Sequence, residues 1–517
     1  MTVNRIRTIA FAVAIAGVAL GLSQGQIRAQ GTSAVVTKEY DDGGIYVGTF
    51  RNGKQDGQGK YTLPSGYEYD GTWVEGQIEG TGRARFPNGS LYEGEFHAGK
   101  PDGQGKITFV DGGTYEGAWA DGKITGTGTA HYANGTSYTG MFENAVHNGT
   151  GVLQSDNGYR YEGDWAEGVK QGQGKITYPD GATYEGQMSG GLREGQGTLS
   201  MADGLRYTGQ WQKGQMHGQG TLTQPNGDVY EGQMENGRRQ GQGRVTYPNG
   251  DVYEGHFKAD TRDGQGVFRG SDGYVYDGEW TDGRIEGQGH VTYPDGSVYR
   301  GAFVNDLPEG KGKITRPDGS SYDGDWIAGQ IEGTGRAVYA NGLIYEGTFK
   351  DARNDGQGKM TYPDGYTYEG AWKAGQRDGH GIATYADGTV YDGAFSNGER
   401  NGTGTLTMPN GFTYEGQWTD GQIDGHGVAT YATGDVYEGN FAQGKRQGEG
   451  TMRYATGEVA QGTWSDNTLT EESAQAAPAP ASDADDAPAP DLPQTPEVLP
   501  EAAPQEGVKD SRPPQGE

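Results

Sequence analysis

The chain repeats itself every 23 residues. The motif Tyr-x-Gly-x-aromatic begins at Tyr46, Tyr69, Tyr92 and Tyr115 and recurs to Tyr437 with no insertion or deletion. A nineteenth copy has Ala460 in the tyrosine position, followed by Gly462 and Trp464. A fixed period over this length marks an architecture in which each repeat rests on its neighbours and not on one shared core. Each repeat carries four glycines at constant places, Gly48, Gly57, Gly59 and Gly66 in the first. Nineteen first glycines and three sets of eighteen account for 73 of the chain's 98. The glycine excess is therefore positional. Collagen is excluded, because glycine does not recur at every third residue.

The spacing inside a repeat predicts a β-hairpin. Tyr46, Gly48 and Phe50 alternate and share one face of a strand. Gly57, Gly59, Tyr61 and Leu63 share one face of the next strand, and the Tyr61 position is apolar in every repeat. Gln58, Lys60 and Thr62 alternate with them, so one face is aromatic and apolar and the other wet. Turns such as Pro179-Asp180-Gly181 and Pro248-Asn249-Gly250 put proline where φ is near −65° and glycine where φ is positive. The strand glycines, lacking Cβ, let tyrosine and tryptophan rings lie flat over the backbone. The expected fold is all-β: an elongated single-layer antiparallel sheet of tandem 23-residue hairpins with disordered termini.

These residues resemble the MORN (membrane occupation and recognition nexus) repeat, whose pattern is close to Tyr-x-Gly-x-Trp-x-x-Gly-x-x-x-Gly-x-Gly. Tyr69, Gly71, Trp73, Gly76, Gly80 and Gly82 match it position by position. Met188 and Met234 depart from it at the aromatic position, and Ala145, Asp260, Asp306 and Ala352 at the first loop glycine. The resemblance implies stacked hairpins with an open groove, and roles in protein interaction, dimerisation or membrane tethering.

A finer order lies within the array. All nine tryptophans take the fifth position of a repeat and largely alternate with phenylalanine, as in Phe50, Trp73, Phe96 and Trp119. This suggests a duplicated 46-residue block. The alternation slips between Met234 and Phe257, and the stretch Gly76 to Ala84 recurs identically 253 residues on, at Gly329 to Ala337. We infer two ancestral arrays joined near residues 234 to 257.

Three segments follow from composition. Residues 1–29 read as a secretory signal: Arg5 and Arg7 precede an apolar run from Ile9 to Leu22, too short to span a membrane comfortably, and small Ala29 closes a cleavage site. Residues 30–45 are a lead-in and 46–467 the array. Residues 468–517 hold 10 of the 21 prolines, with 11 acidic and 2 basic residues, and are expected to be a disordered tail. Export to a bacterial periplasm, envelope or exterior follows from the signal.

Net charge is −29, which argues against nucleic acid and against direct binding of anionic lipid. Cysteine is absent, which removes disulfides and thiol chemistry. The residue after the leading tyrosine is Asp or Glu in 14 of 19 copies. We read that row as a solvated face, partly neutralised by Lys60, Arg83, Lys106 and Lys175. The eight histidines form no close pair with zinc spacing, and no phosphate loop or nucleophile elbow occurs. A catalytic centre needs one repeat unlike its siblings. The expectation is a scaffold without catalysis, cofactor or metal.

Its expected site is a groove lined by Tyr69, Trp73, Tyr115, Trp119, Tyr161, Trp165, Tyr276, Trp280, Tyr322, Trp326, Tyr368, Trp372, Tyr414 and Trp418, binding a partner protein or a second copy. The alternatives are an envelope protein that binds glycan or peptidoglycan and a membrane-associated tether. These rings also serve as core, and truncating Trp280, Trp326 or Trp372 is expected to cost about 2–4 kcal/mol each.

Overall fold

The structure, a computed structural model, describes residues 34–472. Every regular element among them is a β-strand. The chain divides into two units at Pro248/Asn249, within the interval where the Trp/Phe alternation slips. The first unit holds nineteen described strands and the second twenty. Within each unit, strands pair antiparallel with their neighbours in the chain, giving a meander.

One repeat illustrates all. A seven-residue strand, Glu68–Val74, returns as a nine-residue strand, Gln77–Arg85. The two residues between them, Glu75 and Gly76, both have positive φ (47° and 93°), the type I′ geometry that matches strand twist. Tyr69 faces Ala84, Gly71 faces Gly82, and Trp73 faces Ile78. The return strand then pairs onward, Ala84 with Tyr92 and Gly80 with Phe96. At the far end Phe86 to Ser90 form a tight turn, where Gly89 has φ 89° and Asn88 Oδ1 accepts from Ser90 N at 2.9 Å. The predicted proline–glycine turn chemistry is what forms, as at Gly181 and Gly250.

The glycines divide into two jobs where the spacing suggested one. A Cβ on Gly71 or Gly82 would strike the Tyr69 hydroxyl, so these two are the platform beneath the ring. Gly80 is different. Between the pairs Gly71/Gly82 and Trp73/Ile78 the register shifts, leaving Glu79, Gly80 and Thr81 opposite Thr72 alone. Gly80 has φ 70°, and a Cβ there would point at Thr72 on the wet face. The first glycine of each Gly-x-Gly is thus a bulge residue and leaves the ring face, which corrects the expected alternation at Gly57.

The rings form a packed row, unbroken in the second unit and interrupted in the first by Met188 and Met234. Tyr69 lies edge-on to Trp73 (5.7 Å) and to Phe96 of the next repeat (5.0 Å). Tyr92 does the same with Phe96 (5.0 Å) and Trp119 (5.0 Å). Each such contact contributes about 0.5–1.5 kcal/mol beyond area burial. Polar bonds stitch repeat to repeat. Trp73 Nε1 donates to Gly59 O at 3.1 Å, and all nine tryptophans do the equivalent. Gly76 N donates to Gln55 O at 2.8 Å. Ala98 N donates to Glu79 Oε1 at 3.0 Å, using an acidic residue of the preceding repeat to satisfy the turn.

The 46-residue period reappears in packing. Trp73, Trp119, Trp280, Trp326 and Trp418 each face an isoleucine across the hairpin. Phe50, Phe96, Phe303 and Phe349 face Gln55, Pro101, Pro308 and Asn354. Alternate repeats are chemically distinct at this position in these stretches, whereas Trp165 faces Lys170, Trp211 faces Met216 and Trp372 faces Arg377.

Both ends of the array differ from the expected boundaries. Val36–Glu39 already forms a strand against Ile45–Arg51. Thr468–Glu472 pairs with Val459–Ser465, because Leu469 supplies the apolar partner that Trp464 needs. The signal segment and residues 473–517 lie outside the described residues.

Candidate functional site

The ring face is built in three levels. The lowest is the glycine platform. On it lie the leading tyrosines, each at most 2 % exposed, whose hydroxyls donate to the carbonyl three residues on, as Tyr69 Oη to Thr72 O at 3.0 Å. Burial raises their pKa, to about 12 for Tyr46, so they stay neutral. The tryptophans beside them are at most 8 % exposed. The fourteen residues expected to line a groove are therefore the core of the array in this structure.

The uppermost level is a row of residues nine positions after each leading tyrosine, which we call lids. In the first unit it runs Gln55, Ile78, Pro101, Ile124, His147, Lys170, Arg193, Met216 and Arg239. In the second it runs Arg262, Ile285, Pro308, Ile331, Asn354, Arg377, Arg400, Ile423 and Arg446. Cations are common here. Arg193 lies 4.2 Å from the Trp211 ring centroid and Arg400 4.7 Å from that of Trp418. Their guanidiniums donate at 2.8 Å to the turn carbonyls of Gly214 and Gly421. Arg446 lies 4.7 Å from Trp464 and donates to Asn467 O at 2.7 Å. Lys170 sits 4.6 Å over Tyr159 and 5.0 Å over Tyr161, and burial lowers its pKa to about 8. His147 stacks on Tyr138 at 3.7 Å and bonds Tyr132 Oη at 2.7 Å; burial lowers its pKa to about 4, so it is neutral at physiological pH.

The lid row was not legible as a site because its residue type varies. Its one signal is position, since it shares parity with the apolar residue of its own strand, as Ile78 does with Ala84.

The two units differ in how deeply the lids are covered. All nine lids of the second unit are buried, Arg377, Arg400 and Arg446 to 3 % exposure or less. In the first unit Ile124, Lys170, Arg193, Met216 and Arg239 are only half-buried. The turn row above them explains this. In the second unit it supplies large rings such as Tyr362, Tyr366, Tyr385 and Phe412, and Arg377 Nη1 donates to Tyr366 Oη at 2.8 Å. Over the open lids it mixes the half-buried rings Tyr159 and Tyr178 with Ala182, Leu205, Gln224 and an exposed Met201, and among the described residues no turn-row ring stands over Met216 or Arg239.

The wet face carries the acidic row, paired across strands with basic residues. Arg83 meets Glu93 at 3.4 Å, Lys106 meets Glu116 at 3.4 Å and Lys359 meets Glu369 at 3.4 Å. These pairs are solvent-exposed and worth little individually. A shallow depression of about 480 Å³ on this face is lined by Lys311, Lys313, Asp323, Thr334 and Arg336. Its cations are engaged, Lys311 with Asp325 at 2.6 Å and Arg336 with Glu346 at 3.1 Å. Among the described residues no three acidic or histidine side chains gather as a metal site would need, and no helix is long and apolar enough to cross a membrane.

Comparison with known proteins agrees with the repeat geometry. The MORN repeat family matches eighteen successive segments, beginning 46–66, 69–91 and 92–114 and ending 414–436 and 437–459. No curated protein matches. Among solved structures, the SAS-4 (dCPAP) TCP domain of Drosophila melanogaster, in complex with a proline-rich motif of Ana2 (dSTIL), is 19 % identical, with a TM-score of 0.20 over 31 % of this chain and 89 % of that one. The TCP10 domain of Danio rerio CPAP is 12 % identical, with a TM-score of 0.13 over 60 % and 99 %. A streptogramin B lyase is 11 % identical, with a TM-score of 0.10 over 56 % and 90 %. These structural likenesses are too slight to bear on function. The family match, which runs from the first leading tyrosine through eighteen tandem copies of the motif, does bear on identity: the chain belongs to the MORN repeat family.

Proposed function

We propose that the protein is a non-catalytic scaffold whose ring-side face binds a partner protein or a second copy of the chain. The observation that carries this is the set of half-buried lids Ile124, Lys170, Arg193, Met216 and Arg239, where aliphatic and cationic side chains mix over an aromatic bed. Such a mixture suits an extended or helical protein segment: apolar area supplies affinity and charge supplies register. Repetition of one repeat type supports binding over catalysis, since no repeat is set apart by a polar cluster of its own.

The composition of residues 1–29 supports a reading in which the scaffold is exported to the periplasm, envelope or exterior of a bacterium. Binding of glycan or peptidoglycan ranks second, because a sugar platform needs open ring faces and the tyrosines here are sealed. The rings contribute to binding through the lids they hold in place.

The test is retention of envelope proteins on immobilised full-length chain, run beside sedimentation with peptidoglycan. The scaffold reading expects a protein partner whose retention falls at least tenfold on K170A/R193A/R239A. Recovery with peptidoglycan alone would reverse the ranking.

A further inference from the structure

We propose that the open lids of the first unit receive the acidic, proline-rich tail of a second copy of this chain. The inference rests on the scaffold reading and names its partner. Lys170, Arg193 and Arg239 place three cations on the ring face of a chain whose net charge is −29. Asp228 is the acidic residue of the turn row above them. The stretch is thus a local basic and apolar strip, and its complement is an acidic segment with apolar residues between the charges.

Residues 473–517 hold that composition: nine acidic residues, two basic residues and ten prolines. Spacing narrows the choice. Two strands per repeat at about 4.8 Å set neighbouring lids about 10 Å apart, so Lys170 to Arg193 is about 10 Å and Arg193 to Arg239 about 20 Å. An extended proline-rich segment rises about 3.1 Å per residue. Asp491, Glu497 and Glu501 would then be about 19 Å and about 12 Å apart, the same two intervals. Leu492, Val498 and Leu499 lie among these carboxylates, as Met216 lies between Arg193 and Arg239. Proline restricts the backbone of any segment that carries it, which lowers the ordering cost of binding in extended form.

The lids nearest the root of the tail argue for a second copy as its source. Arg377, Arg400 and Arg446 belong to the unit that carries the tail and are sealed. The open lids belong to the other unit, and Arg239 precedes the last described residue by ten repeats. Tail-to-array contact between copies is heterologous, so it links chains head to tail.

Sedimentation velocity of the full-length chain from micromolar to several hundred micromolar tests this. Concentration-dependent association is expected, weakening as salt rises from 50 to 500 mM. D491N/E497Q/E501Q, which lies outside the folded array, is expected to weaken association at least tenfold. K170E/R193E/R239E, checked for folding by circular dichroism, is expected to do the same. Mixing that lid variant with D491K/E497K/E501K is expected to restore association between the two species. A chain that stays monomeric throughout, or association indifferent to the tail variant, would overturn the proposal. If the chain is monomeric and retention of an envelope protein still depends on the lids, the tail proposal falls and the scaffold reading stands. If lid reversal changes neither readout, both fall.

Discussion

The two units share a platform and differ in their roof. In both, tyrosine lies on paired glycines and each tryptophan ties its repeat to the one before. In the second unit every lid is buried, several beneath turn-row rings; in the first, Ile124, Lys170, Arg193, Met216 and Arg239 stay half open, with no turn-row ring over Met216 or Arg239 among the described residues. The cover over a lid can thus change through the turn residues while the tyrosine and its glycine platform stay the same.

Perturbing the shared level should give the largest effects and show little contrast. Trp211→Ala and Trp418→Ala are each expected to cost about 3–5 kcal/mol, read as loss of amide protection in the flanking strands by hydrogen exchange. A site in which Trp211→Ala leaves protection intact would break the claim of a common platform.

The lids should separate the units. Arg400→Ala removes a sealed guanidinium that covers Trp418 and donates to Gly421 O, and about 2–4 kcal/mol is expected. Arg193→Ala makes the equivalent change in the open stretch, where about 1 kcal/mol is expected. Equal losses by hydrogen exchange would erase the distinction between roofed and unroofed repeats.

His147 offers a pH test in the first unit. Its folded pKa of about 4 lies below the ordinary 6.5, so the unfolded chain binds the extra proton between these values. Stability from this group is fully present above about pH 6.5 and is lost as pH falls toward 4, by about 3 kcal/mol. His147→Phe should flatten that part of the profile. A pH profile of local exchange unchanged by the substitution would show that the ring is not excluded from water.

The smallest effects should be equal in both units. Ala145 (φ 64°) and Ala352 (φ 58°) occupy hairpin positions where most repeats have glycine, and a Cβ is strained there. Glycine at either position is expected to gain about 0.5–1 kcal/mol, measured as a shift in local unfolding.

Much of this was readable from residue order. The 23-residue period and the turn residues specify the hairpins, because a slip of one residue would turn every ring to water. The bulge was not readable, since Gly57 and Gly59 alternate as they would in a regular strand. The lids escaped notice for a different reason. Positions such as Ile331, Asn354 and Arg377 have nothing chemical in common, and only the packed structure shows that each covers a ring. Their exposure depends on turn residues of other repeats, a non-local property that pattern alone does not carry.

In residues 50–124 and 280–354 the pairing across the hairpin alternates, isoleucine against tryptophan and a polar residue or proline against phenylalanine, so these stretches are graduated in pairs of repeats. Gaining or losing two repeats there leaves every joint with the partners it had. Gaining or losing one sets mismatched halves together. Residues 188–257, where Met188, Met234 and Phe257 all face arginine, have the look of such a splice. An even step keeps isoleucine under tryptophan; an odd step puts two like repeats side by side, as Met234 and Phe257 now stand.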